Sequence, residues 1–91
     1  MTSRELASVI DQSGGRIITV TFRKNDGSTR VINGKTGVRF NLKGGPSYVD
    51  YEQYVLIFDL RKRGYRSINR DSIIEVKYEK KVWNSQTPSL K

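Results

Sequence analysis

The sequence predicts a mainly β domain: five short strands wrapped into a small barrel behind a short N-terminal α-helix. Three observations predict it. The chain opens on a capped segment of helical period, switches to alternating β-branched and aromatic residues after Arg16, and is punctuated by turn residues at short intervals. With 91 residues, 35% of them hydrophobic, it has material for a single core, because the fraction of surface a chain can bury falls with its length.

The helix is predicted over about residues 2–12. Thr2 and Glu5 have the spacing of a capping box, in which each side chain satisfies the other residue's backbone N–H, and Leu6, Val9 and Ile10 then share one face. Ser13-Gly14-Gly15 closes it, since glycine takes the left-handed conformation without Cβ strain. Ile18, Val20 and Phe22 alternate with Thr19 and Thr21 in a first half-buried strand, and Asn25-Asp26-Gly27-Ser28 is a hairpin turn.

The second strand runs from Thr29 to about Val38, with Gly34 and Gly37 marking a bulge or sharp bend. Residues 39–50 are a longer loop broken by Gly44-Gly45-Pro46. The apolar run Tyr54-Val55-Leu56-Ile57-Phe58 is expected to be the central strand. Arg61-Lys62-Arg63-Gly64 turns into a fourth strand over 65–69, Arg70-Asp71-Ser72 makes a single turn, and residues 73–78 form the fifth strand. This order of elements describes an SH3-like barrel of the Sm type spanning residues 1–79. The tail, 80–91, loses periodicity and is expected to be partly disordered, with Trp83 folding back onto the barrel.

The chain has no Cys and no His. Disulfides, thiolate and imidazole metal sites, and nucleophile–histidine dyads are therefore excluded, and the carboxylates Asp50, Glu52, Asp59 and Asp71 lack the spacing of a magnesium cage. The expectation is a protein that is not an enzyme and uses no cofactor or metal. No apolar run reaches the roughly 18 residues of a spanning helix, and Met1-Thr2-Ser3-Arg4-Glu5 lacks a signal-peptide layout. A cytoplasmic protein without a membrane contact is expected.

The net charge of +8, from 17 Lys plus Arg against 9 Asp plus Glu, points to a polyanionic partner. Its distribution is uneven. Between Gly15 and Val49 there are seven basic residues and a single acid, Asp26. One candidate cluster is Arg23, Lys24, Arg30, Lys35, Arg39 and Lys43, with Arg23 and Lys24 placed across the hairpin from Arg30. A second is Arg61, Lys62, Arg63, Arg66 and Arg70, where Arg66 and Arg70 fall on one strand face and are candidates for a guanidinium pair. The alternative for Arg70 is a bracing ion pair with Asp71 or Asp59. Aromatic residues interleave with these cations: Tyr48, Tyr51 and Tyr65 are candidates for base stacking, while Tyr54 and Phe58 are assigned to the core. The loop Lys43-Gly44-Gly45-Pro46-Ser47 lacks the spacing of a P-loop.

The string Tyr54-Val55-Leu56-Ile57-Phe58-Asp59, followed by Gly64-Tyr65-Arg66-Ser67-Ile68-Asn69-Arg70-Asp71-Ser72-Ile73, resembles the second half of the WYL domain. With Val20-Thr21-Phe22, Asn33-Gly34-Lys35-Thr36-Gly37-Val38 and Leu42-Lys43-Gly44-Gly45, the chain is similar to small stand-alone WYL-like, Sm-like SH3 barrels common in bacteriophages. Tyr54-Val55-Leu56, or Val55-Leu56-Ile57 in the other register, stands where that family carries Trp-Tyr-Leu, and no helix-turn-helix is fused. The resemblance implies a phage accessory or regulatory protein, working in the cytoplasm of the infected host, that holds nucleic acid or nucleotide-like ligands on a basic, aromatic surface.

The reading is thus a non-enzymatic binder of single-stranded or structured RNA or DNA. Two alternatives stand beside it: a regulator docking onto an acidic host protein, and a protein that sequesters a nucleotide or cyclic oligonucleotide. The last strand, 73–78, is expected to present an edge on which copies of the chain can pair into a homo-oligomer.

Overall fold

A computed structural model describes residues 1–36 and 50–88. Helix α1, Ser3–Gln12, begins where the capping box places it: Glu5 N donates to Thr2 Oγ1 at 3.2 Å and Thr2 N donates to Glu5 Oε1 at 2.9 Å. Leu6, Ala7, Val9 and Ile10 are buried along one stripe, and Ser13, Gly14 and Gly15 end the helix, the two glycines at φ 62° and 86°. No helix among the described residues is long and apolar enough to cross a membrane.

Six strands follow: β1 (Ile18–Arg23), β2 (Thr29–Lys35), β3 (Tyr54–Asp59), β4 (Gly64–Asn69), β5 (Ile73–Tyr78) and β6 (Lys81–Asn84). They form one antiparallel sheet in the order β4-β3-β2-β1-β5-β6. Three expectations change here. The apolar run of β3 is one strand in from the edge rather than central, because β1 pairs with both its hairpin partner and β5. Strand β5 is internal, and the edges are β4 and β6. The sixth strand lies in the tail expected to fray: Glu79 and Lys80, both at positive φ, turn the chain so that Tyr78 faces Lys81 and Val76 faces Trp83. Trp83 does fold back, stacking on Tyr78 with ring centroids 4.9 Å apart.

The core joins one helix face to the inner face of the sheet. Ile18 and Val20 of β1, Ile32 of β2, Val55 and Ile57 of β3, Ile68 of β4, and Ile73 and Val76 of β5 pack with the helical Leu6, Val9 and Ile10. Each such aliphatic side chain, fully buried, contributes about 1.5–3 kcal/mol. Polar groups then fix the helix in place. Ser3 Oγ donates to Ile73 O at 2.7 Å, Arg4 Nε to Asp71 Oδ1 at 2.9 Å, and Arg70 Nη1 to Asp11 Oδ2 at 2.9 Å. The ammonium of Met1 donates to the carbonyls of Ser85 and Thr87, tying the start of the helix to the turn after β6.

One contact shapes the region of interest. Strand β2 pairs with β3 only through Gly34 opposite Asp59 and Lys35 opposite Phe58. A Cβ on Gly34 would lie 2.5 Å from both Ile57 Cγ2 and Phe58 O, so only glycine lets the two backbones come this close. The expected irregularity at Gly34 is this close approach, while Gly37 and all of the predicted loop 39–50 but its last residue lie outside the described residues. Toward its N-terminal half β2 has no such pairing with β3, and the sheet opens.

Candidate functional site

The opening is a cleft of about 430 Å³ between β2 and the β3–β4 turn, and Arg30, Asn33, Asp59, Arg61, Lys62 and Arg66 line it. Four are cations and one is a carboxylate. Arg30 comes from β2, opposite Phe22 on the core-facing side; it is not opposite Arg23, whose partner is Thr29. Arg66 comes from β4, opposite Ile57 and hence on the core-facing side as well. These two cations therefore sit at the open end of the hydrophobic core, and the turn between β3 and β4 adds Arg61 and Lys62.

Asp59 organises this end of the molecule. It is 3% exposed, the only buried acid among the described residues. Oδ1 accepts from the backbone N–H of Arg61 at 2.9 Å and of Lys62 at 3.1 Å, and Oδ2 accepts from Arg66 Nε at 2.5 Å. A carboxylate at the start of a turn commonly accepts from N–H groups two and three residues on, which pre-forms the turn. Burial alone would raise the pKa of this carboxyl. The Arg66 guanidinium and the two turn amides outweigh that effect, and the pKa is lowered from its ordinary value. Asp59 is thus an anion that fixes both the turn and the direction of Arg66, whose side chain remains 24% exposed.

The remaining sequence candidates are dispersed. Arg23 and Lys24 line a separate groove with Ser3, Asn25, Asp71 and Ser72. Lys35 ends β2 beside Phe58. Arg63 occupies the left-handed position of the β3–β4 turn at φ 58° and adjoins a shallow apolar depression formed with Phe58, Leu60 and Tyr65. Tyr65 is half-buried and meets Phe58 edge-to-face at 5.5 Å, whereas Tyr51 is 51% exposed. Tyr54, assigned to the core from sequence, is 37% exposed because it starts β3 on the outward face. Arg39, Lys43 and Tyr48 lie outside the described residues.

Arg66 and Arg70 do not form a guanidinium pair. Arg66 turns to Asp59, while Arg70 follows the far end of β4 and spends its donors on Asp11 and on Tyr51 O at 3.0 Å. The bracing role foreseen for Arg70 is therefore real but falls on Asp11, a helix residue, and Asp71 is taken instead by Arg4. Asp59 is the site residue that sequence reading undervalued. Its signal is an acid placed immediately before the basic turn, at the position from which a carboxylate caps following amides.

Known protein families, curated proteins and solved structures were compared with this chain. None matches. The functional reading consequently rests on the cleft and its chemistry.

Proposed function

We propose that this chain is a non-enzymatic module that binds the phosphate backbone of single-stranded or structured RNA or DNA. The observation that carries the reading is the convergence of Arg30, Arg61, Lys62 and Arg66 on one cleft around a single, fully engaged carboxylate. Charge scattered evenly over a surface serves solubility. Charge focused at the mouth of a low-dielectric core raises the local concentration of a polyanion. Exposed Tyr51, and the Phe58–Tyr65 pair beside Arg63, add aromatic surface of the kind on which unpaired bases stack.

The strand order supports a barrel-like description. With β1 pairing both β2 and β5, the antiparallel sheet lays one face on a single core, and the barrel implied by the resemblance to WYL-like, Sm-like domains is part of this proposal. On this reading the chain is a small accessory protein that contacts backbone and bases without reading a duplex. It works in the cytoplasm of a phage-infected host. Fluorescence anisotropy with labelled single-stranded and hairpin oligonucleotides tests the proposal. Binding at low salt that weakens steeply as salt rises is expected; no change at low salt with any of them overturns it.

A further inference from the structure

Resting on that reading and deepening it, we propose that Arg66 is the seat of one phosphoryl group. The Nη1–Nη2 end of its guanidinium takes two phosphate oxygens, Arg30, Arg61 and Lys62 are left to attract the flanking phosphates of a strand, and Asp59 is the positioning residue. The ligand class is a phosphate mono- or diester, supplied either by an internal phosphodiester of a strand or by a terminal phosphoryl group.

The geometry separates Arg66 from every other cation among the described residues lining a groove. A surface arginine must give up rotamer freedom when it meets an anion, and that loss opposes binding. Arg66 is already ordered. Its backbone is held in β4 opposite Ile57, and its Nε donates to Asp59 Oδ2 at 2.5 Å. Asp59 is itself fixed by the N–H groups of Arg61 and Lys62. The chain of restraint runs from the turn backbone through a buried carboxylate to the guanidinium plane.

Nε is consumed in that arrangement, and the two Nη groups meet no acceptor among the described residues. An arginine fork with that end free matches the spacing of two phosphate oxygens. The cleft volume of about 430 Å³ also falls among small-ligand pockets, about 300–1,000 Å³. The groove at Arg23 and Lys24 has no comparable device, since the carboxylate near it, Asp71, is committed to Arg4 and Gln53.

The test titrates inorganic phosphate into the isotopically labelled full chain and follows the Arg66 Nε–H and the Arg61 and Lys62 amides by NMR. It needs no variant, so folding is not at issue. Shifts concentrated at these three residues are expected, and no shift at Arg66 overturns the seat. In parallel, Arg66→Lys, which keeps the charge but loses the fork, is expected to weaken oligonucleotide binding about tenfold. Lys77→Gln, which removes a charge on the outer face of β5, is expected to change it less than about twofold. Equal losses in the two variants overturn the seat while leaving the nucleic-acid reading intact. Phosphate shifts at Arg66 without oligonucleotide binding establish the seat and remove that reading.

Strands ending in a 5′-phosphate or a 5′-hydroxyl distinguish the sources. Equal competition assigns the seat to an internal phosphodiester, and competition by the phosphorylated strand alone assigns it to a terminal group. In Asp59→Asn, with thermal melting showing that the variant is folded, loss of the phosphate-induced Arg66 shift confirms positioning; an unchanged shift removes Asp59 from the proposal.

Discussion

Asp59 holds Arg66 across the β3–β4 hairpin, Nε to Oδ2 at 2.5 Å, with the carboxylate buried and the guanidinium reaching the surface. This asymmetry has consequences for stability. Removing the carboxylate orphans the Arg61 and Lys62 amides together with Nε, and breaking a buried pair of this kind costs about 3 kcal/mol. Asp59→Ala is accordingly expected to lower the unfolding free energy by that margin, read as a lower denaturant midpoint at unchanged m.

The same pair sets an acid response. The pKa of Asp59 is lowered in the folded state, so its contribution is fully present above the unfolded carboxylate value and is lost as pH falls through the lower, folded value. The stability difference between wild type and Asp59→Asn should be constant from neutral pH down to the ordinary carboxylate range and shrink below it. A difference that stays constant throughout acid titration contradicts the assignment.

Arg70 is expected to behave as a structural residue. Its side chain is 15% exposed and its guanidinium joins Asp11 of α1 to Tyr51 O, so Arg70→Gln removes charge-assisted bonds worth about 1.5–3 kcal/mol in total. The loss should appear as faster amide exchange in the last turn of α1, with oligonucleotide affinity changed no more than for any single surface charge. A larger loss of affinity than that of Arg66→Lys would move the binding site to the other end of β4.

The turn between β5 and β6 explains both a failure of sequence reading and a prediction. The first hairpin was legible because Asp26-Gly27 supplies glycine where φ is 88°. The same was true of α1, where Thr2 and Glu5 announce the cap. The last hairpin places Glu79 and Lys80 at φ 51° and 64°, residues that carry no turn signal, so nothing in the sequence marks a turn after Tyr78. Tertiary packing, chiefly Trp83 on Tyr78, sustains a conformation that local propensity disfavours. Lys80→Gly relieves the left-handed strain, which exceeds the added unfolded-state entropy. It is expected to raise stability by about 0.5–1 kcal/mol, read as a higher melting temperature.

The candidate site was legible as composition and illegible as arrangement. Arg30, Arg61, Lys62 and Arg66 were all visible as cations, yet they come from β2, β4 and the turn between β3 and β4. What unites them is the short β2–β3 pairing at Gly34, a long-range feature that period and charge counting do not report. The union has a measurable counterpart in ionic strength. For single strands the slope of log K against log salt is about −0.7 per neutralised phosphate, so four cleft cations give about −3. Arg30→Gln, which leaves the Asp59–Arg66 pair in place, should lower the magnitude of that slope by about 0.7 and reduce affinity for all sequences alike. Anisotropy titrations across a salt series measure it directly. A wild-type slope near zero would mean that the four cations do not act on phosphates together.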